Sequence, residues 1–103
     1  MMNIKPDETI LVGQWVLEDG RPVADDVSAR IAAITKSHLL MIGHDASGWL
    51  TLYRDPNDGR LWELDYPQSE LHGGGPPRLR AISPEEARQR YSLAEIESEN
   101  GRF

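Results

Sequence analysis

Between Trp49 and Tyr66 two apolar-rich runs flank a dense turn signal, and this stretch limits the folds open to the chain. Trp49–Arg54 and Arg60–Tyr66 have the length and aromatic content of strands. Asp55-Pro56-Asn57-Asp58-Gly59 separates them. Proline presets φ, Asn and Asp fold back onto their own backbone, and Gly accepts a φ that other residues resist. A β-hairpin with a loop of four or five residues is predicted. Loop length sets the register, and a one-residue slip exchanges the two faces. With five residues, Leu50 and Leu52 join Trp62, Leu64 and Tyr66 on a core face, and Trp49, Thr51 and Tyr53 share the other face with Glu63 and Asp65. With four, Tyr53 opposes Trp62. The first arrangement is preferred, because it collects the aliphatic side chains on one face. It leaves an aromatic and acidic face that is either covered by another element or used for binding.

Other elements build around this hairpin. Ile10–Leu17 reads as one strand with apolar groups on both faces, followed by a turn at Glu18-Asp19-Gly20-Arg21-Pro22. Asp25 or Asp26 starts a helix. Val27, Ile31, Ile34, Met41 and Ile42 recur at helical spacing, with His38 in the same stripe, so a long helix over 25–42 is predicted with Gly43 as its stop. Arg78–Ile82 reads as a final strand. Ser83-Pro84-Glu85-Glu86 reads as an N-cap, a first-turn proline and a capping box, opening a short helix to Tyr91 with Ala87 and Tyr91 inward. The order is β-α-β-β-β-α. An α+β fold is expected, with a mostly antiparallel sheet of about four strands packed against the long helix.

The 103 residues make a single domain, with a core over about 5–91 and an acidic tail over 92–103. The chain has no cysteine, which removes disulfides, thiol chemistry and thiolate metal sites. No apolar stretch approaches the roughly 20 residues that span a bilayer. The opening MMNIKPDETI lacks the apolar run of a signal peptide, so a cytoplasmic protein is expected. A formal charge of −6 disfavours nucleic acid and anionic membrane, and suits a basic protein partner.

Chemical motifs are sparse. His72 precedes Gly73-Gly74-Gly75 and Pro76-Pro77. A histidine beside a backbone nest could serve a small-molecule-binding or hydrolytic domain. Three glycines followed by two prolines are better explained as a close-packed structural loop. His38, His44 and His72 lack the short spacing of a zinc site, and Asp55, Asn57 and Asp58 lack the distal carboxylate of a calcium loop. No metal or cofactor is expected. Glu63, Asp65 and Glu70 could supply paired carboxylates, although alternating acids are ordinary on a half-exposed strand.

A longer pattern runs through these residues. Gly48-Trp49, Leu52-Tyr53-Arg54-Asp55-Pro56, Asp58-Gly59-Arg60, Trp62-Glu63, Tyr66-Pro67-Gln68-Ser69-Glu70 and His72-Gly73-Gly74-Gly75-Pro76-Pro77 together resemble immunity protein 27. This is a family of small bacterial proteins in polymorphic toxin systems. Leu11-Val12-Gly13 with Trp15 is similar to its opening strand, and Ile82-Ser83 with Glu86-Ala87 and Tyr91 to its closing helix, so the resemblance covers about 5–91. It implies an antitoxin that binds a toxin domain made by the same cell, not an enzyme, and it brings no catalytic residues with it. The alternation on the hairpin, not the family, singles out Trp49, Tyr53, Glu63 and Asp65 as partner contacts, with Glu70 and His72 on the adjoining loop. A basic, nuclease-type toxin would be steered to such a patch.

Overall fold

The computed structural model describes residues 4–67 and 75–91. Its elements are β1 (Ile10–Val12), β2 (Trp15–Glu18), β3 (Arg21–Ala24), α1 (Asp26–Ser37), β4 (Leu40–His44), β5 (Thr51–Arg54), β6 (Leu61–Asp65), β7 (Arg78–Ile82) and α2 (Pro84–Arg90). Five strands form one antiparallel sheet in the order β1-β7-β6-β5-β4, and β2 and β3 form a separate hairpin. The α+β class is as expected, with five strands in place of four.

The expected long helix ends early, at Ser37. Asp25 is its N-cap, accepting from Ser28 N at 2.8 Å. At the other end the N–H groups of His38 and Leu39 both close on the carbonyl of Ile34. The His38 ring lies 3.2 Å from the buried Asp55 carboxylate, which holds the last turn against the end of β5. Leu39 enters the core, and Leu40–His44 leaves as an edge strand with Gly43 inside it. Met41 and Ile42 fall on the helical stripe by coincidence of spacing. Three consecutive apolar residues suit a strand equally well.

Ile10–Leu17 also divides. The Gly13 N–H donates to Pro77 O at 2.8 Å, and a side chain here would begin 2.3 Å from Ser28 Oγ and 2.9 Å from Pro77 O. The chain squeezes between α1 and the approach to β7, then leaves the sheet. Asp25 N closes the excursion on Gln14 O. At the hairpin tip Asp19 and Gly20 have φ of 53° and 77°, the positive values a two-residue turn between twisted strands requires.

The β5–β6 register corrects the preferred one: Tyr53 pairs with Trp62 and Leu52 with Glu63. Asp55 N donates to Arg60 O at 2.9 Å, which leaves a four-residue loop. The Asp55 carboxylate accepts from Asn57 N, and its carbonyl from Gly59 N. The preference for one aliphatic face assumed a sheet covered on one side, and this sheet is covered on both. Ile31 and Ile34 of α1 pack with Leu11, Tyr53, Trp62 and Leu79. Ala87 of α2 and Tyr91 pack on Leu52, Leu61 and Ile82 on the opposite face. With a core on each side, aliphatic residues belong on both.

The lead-in to β1 is held down. Ile4 is buried in the core, and Arg60 donates to the carbonyls of Glu8 and Lys5. Arg30 grips the Glu8 carboxylate through two nitrogens. That hydrogen bonding, helped by the Lys5 N–H, lowers the Glu8 pKa from 4.5 to about 2. Unfolded, Glu8 takes up its proton near its ordinary value, so this contact contributes fully above about pH 4.5 and is lost as pH falls toward 2. Solvent screening limits the contribution to about 1 kcal/mol. A Glu8→Gln protein should accordingly show a shallower loss of stability in urea melts across that window.

Candidate functional site

The expected aromatic and acidic face is not assembled. Tyr53 is buried beneath α1. Glu63 faces the other way, 1% exposed under α2. Asp65 is half-buried and clamped by Arg78, with Nε to Oδ1 at 2.9 Å and a second bond to Oδ2. Of the four expected contacts among the described residues only Trp49 stands open, at 64% exposure. Glu70 and His72 lie outside the described residues, as do Gly73, Gly74 and the tail over 92–103. At the end of that loop Gly75 has φ 72°, Pro76 is buried, and Pro77 is the acceptor for Gly13.

Glu63 forms a buried charge network. Arg80 Nη2 donates to Oε1 at 2.9 Å, Arg90 Nη1 to Oε2 at 3.1 Å, and Tyr91 OH to Oε2 at 2.9 Å. The same two guanidinium nitrogens donate to Glu86 at 3.0 and 3.2 Å. Two carboxylates and two guanidinium groups balance. The hydrogen bond from Arg80, with help from Arg90, lowers the Glu86 pKa, while burial, together with the carboxylate it donates to, pushes the Tyr91 phenol up. Tyr91 therefore stays a donor. Glu86 was expected to complete a capping box. Ser83 Oγ does accept from Glu86 N at 3.1 Å, but the Glu86 carboxylate turns to the arginines. This arrangement ties α2 to the sheet, with Glu63 at its buried end and Arg80, Arg90 and Glu86 partly exposed.

Trp49 is held out by a loop built on Asp45. That carboxylate accepts from Ser47 Oγ, Gly48 N and Leu50 N, and Ser47 Oγ accepts from Trp49 N at 3.1 Å. Desolvation opposes ionisation of Asp45, but these hydrogen bonds outweigh it and its pKa is lowered. The turn is therefore preorganised, which lowers the backbone ordering cost of presenting the indole. Leu40 and Met41, 46% and 55% exposed, lie at the start of β4, the edge strand that leads into this loop.

A second apolar surface lies at the other edge of the sheet. Ile10 and Val12 of β1 are half exposed, and every residue of β2 is exposed, Leu17 at 77%. The β2–β3 hairpin escaped sequence reasoning. Asp19-Gly20 is a strong two-residue hairpin signal, but Glu18-Asp19-Gly20-Arg21-Pro22 reads as a turn throughout, which hides the strand that begins at Arg21. A proline is tolerated because the ribbon has only two strands. The Glu63 network escaped for another reason: nothing in the spacing of Glu63, Arg80 and Arg90 says that they meet.

Among the described residues no cluster of His, Asp or Glu could hold a metal ion, and no helix is long and apolar enough to cross a membrane. Fold and surface together define a small α+β domain whose buried charges serve its own packing and whose open surface carries apolar anchors. The family model for immunity protein 27 matches residues 17–83, and the chain belongs to the immunity protein 27 family. No curated protein and no solved structure matches the chain.

Proposed function

We propose that this protein is an antitoxin: it binds a cognate polymorphic toxin domain in the cytoplasm of the producing cell and neutralises it without catalysis. Membership of the immunity protein 27 family carries this reading. The surface agrees with it in kind, since exposed aromatic and aliphatic anchors on rigid elements suit protein docking. Trp49 is the anchor retained from the expected contact set, and Asp65, Glu70 and His72 are kept as proposed contributors. Tyr53 and Glu63 act through the fold. The charge of −6 favours a basic toxin, of which nucleases are the natural class, and predicts association that slows as salt is raised.

The decisive experiment co-expresses the chain with the toxin domain encoded in the adjacent reading frame. A stoichiometric complex and restored growth are expected. Growth arrest in the presence of the chain, with no complex, would refute the reading. Within a complex, Trp49→Ala should weaken binding by about tenfold, in the range of a single aromatic anchor. Because the side chain is mostly exposed, the melting temperature of the free protein should not move. Titration calorimetry and a thermal melt separate the two effects.

A further inference from the structure

The β2–β3 hairpin has no structural reason to be as apolar as it is. Its register pairs Trp15 with Ala24, Val16 with Val23, Leu17 with Pro22 and Glu18 with Arg21. Alternation puts Trp15 and Leu17 on one face and Val16 and Val23 on the other. Trp15 is 39% exposed, Val16 44% and Val23 half-buried, so each face is only partly covered. The ribbon is joined to the body at its base, through Asp25 N on Gln14 O and packing of α1 against β3. A two-stranded ribbon alone is marginal in water, and exposed apolar groups on both faces add no stability to it.

A flat partner surface could cover one face of such a ribbon and leave the other wet. Only a groove covers both. The tip narrows the partner further. Glu18 and Asp19 lie there with Arg21 opposite, a net charge of −1, and among the described residues none of the three enters an ion pair. Asp26 adds a carboxylate at the base of the ribbon. The complementary groove has apolar walls and a positively charged floor.

We propose that the β2–β3 hairpin is the element this protein inserts into a basic groove of its toxin. The inference rests on the antitoxin reading and adds to it the blocking element and the shape and charge of the surface it fills. Trp49, beyond the opposite edge of the sheet, is then a separate anchor.

The test uses the full chain and the toxin domain of the adjacent reading frame. A Val16→Ser/Leu17→Ser protein is expected to melt as the parent does and to bind with a Kd raised at least about 20-fold, as for loss of a central apolar anchor. Glu18→Gln should slow association at low salt and reduce its salt dependence. In the parent complex, amide hydrogen exchange over residues 15–24 should be strongly slowed on both strands. That measurement decides the matter even if the double variant fails to fold. Unchanged exchange over 15–24, or a Kd within about threefold of the parent in a folded double variant, would overturn the proposal and leave the antitoxin reading standing. Protection of the hairpin in the free chain, with a dimer in sedimentation, would assign the ribbon to self-association and overturn it as well. Absence of any complex with the parent chain would remove both.

Discussion

Glu63→Ala should lower the free energy of unfolding by about 3 kcal/mol, the scale of breaking a buried ion pair by removing one partner. The carboxylate is 1% exposed and takes hydrogen bonds from Arg80, Arg90 and Tyr91. Without it, two guanidinium groups face each other with only Glu86 to share, and the Tyr91 hydroxyl loses its acceptor. The arginine side chains, 25% and 33% exposed, recover some hydration, which keeps the loss below the top of the usual range. Urea unfolding should show a lower midpoint. The slope should fall as well if α2 detaches before the sheet melts, because less surface is then released in the main transition. A cycle with Arg90→Ala should be strongly non-additive, since either change breaks the same contact. An additive cycle would mean that the network does not hold α2. The position illustrates how readily a buried acid on a strand passes for a surface one. Every other residue of a strand is expected to face water, and nothing local marks the sheet as covered on both sides.

Gly13→Ala should cost about 2–3 kcal/mol, at the upper end for adding one carbon to a filled space. The new carbon would begin 2.3 Å from Ser28 Oγ, 2.9 Å from Pro77 O and 3.2 Å from Pro77 Cδ. Ser28 Oγ belongs to a short side chain that can rotate. The Pro77 carbonyl is backbone, and it is also the acceptor for the Gly13 N–H, so relieving the clash lengthens the 2.8 Å hydrogen bond that seats β1 beside β7. Combining Gly13→Ala with Ser28→Ala separates the two contacts. Recovery of only part of the loss is expected, because the backbone conflict remains. Full recovery would make Ser28 the whole obstacle. Thermal melts of the three proteins decide it. Gly20 offers a contrast: nothing lies within 4 Å of where its side chain would be, and its requirement is the positive φ of the turn.

Much of the local structure was legible. The Asp55–Gly59 turn, the strand at Arg78–Ile82, the Asp25 cap and the Ser83-Pro84 helix start are written in a few adjacent residues each, and local chemistry determines them whatever the rest of the chain does. Family membership was legible for the same reason, as a long run of near neighbours. The end of α1 was not, because periodicity alone does not separate Met41 and Ile42 on a helix from the same residues on an edge strand; the closing contact, His38 with Asp55, joins residues 17 apart. The candidate site was the least legible part. Its prediction depended on the hairpin register, and the register depended on how many faces of the sheet are covered.

The amino-acid sequence by itself determined that this is a cysteine-free acidic α+β chain of the immunity protein 27 family, and where its turns and helix starts fall. Those properties reside in composition and in contacts between near neighbours. Only the tertiary structure decided that Glu63 and Tyr53 are buried while Trp49 and the β2–β3 ribbon stand open. Burial of a strand residue is a property of what packs on the sheet, and here α1 comes before the β5–β6 hairpin in the chain and α2 after it. The ribbon stands free because Gly13, pressed between Ser28 and Pro77, turns the chain out of the sheet before Trp15.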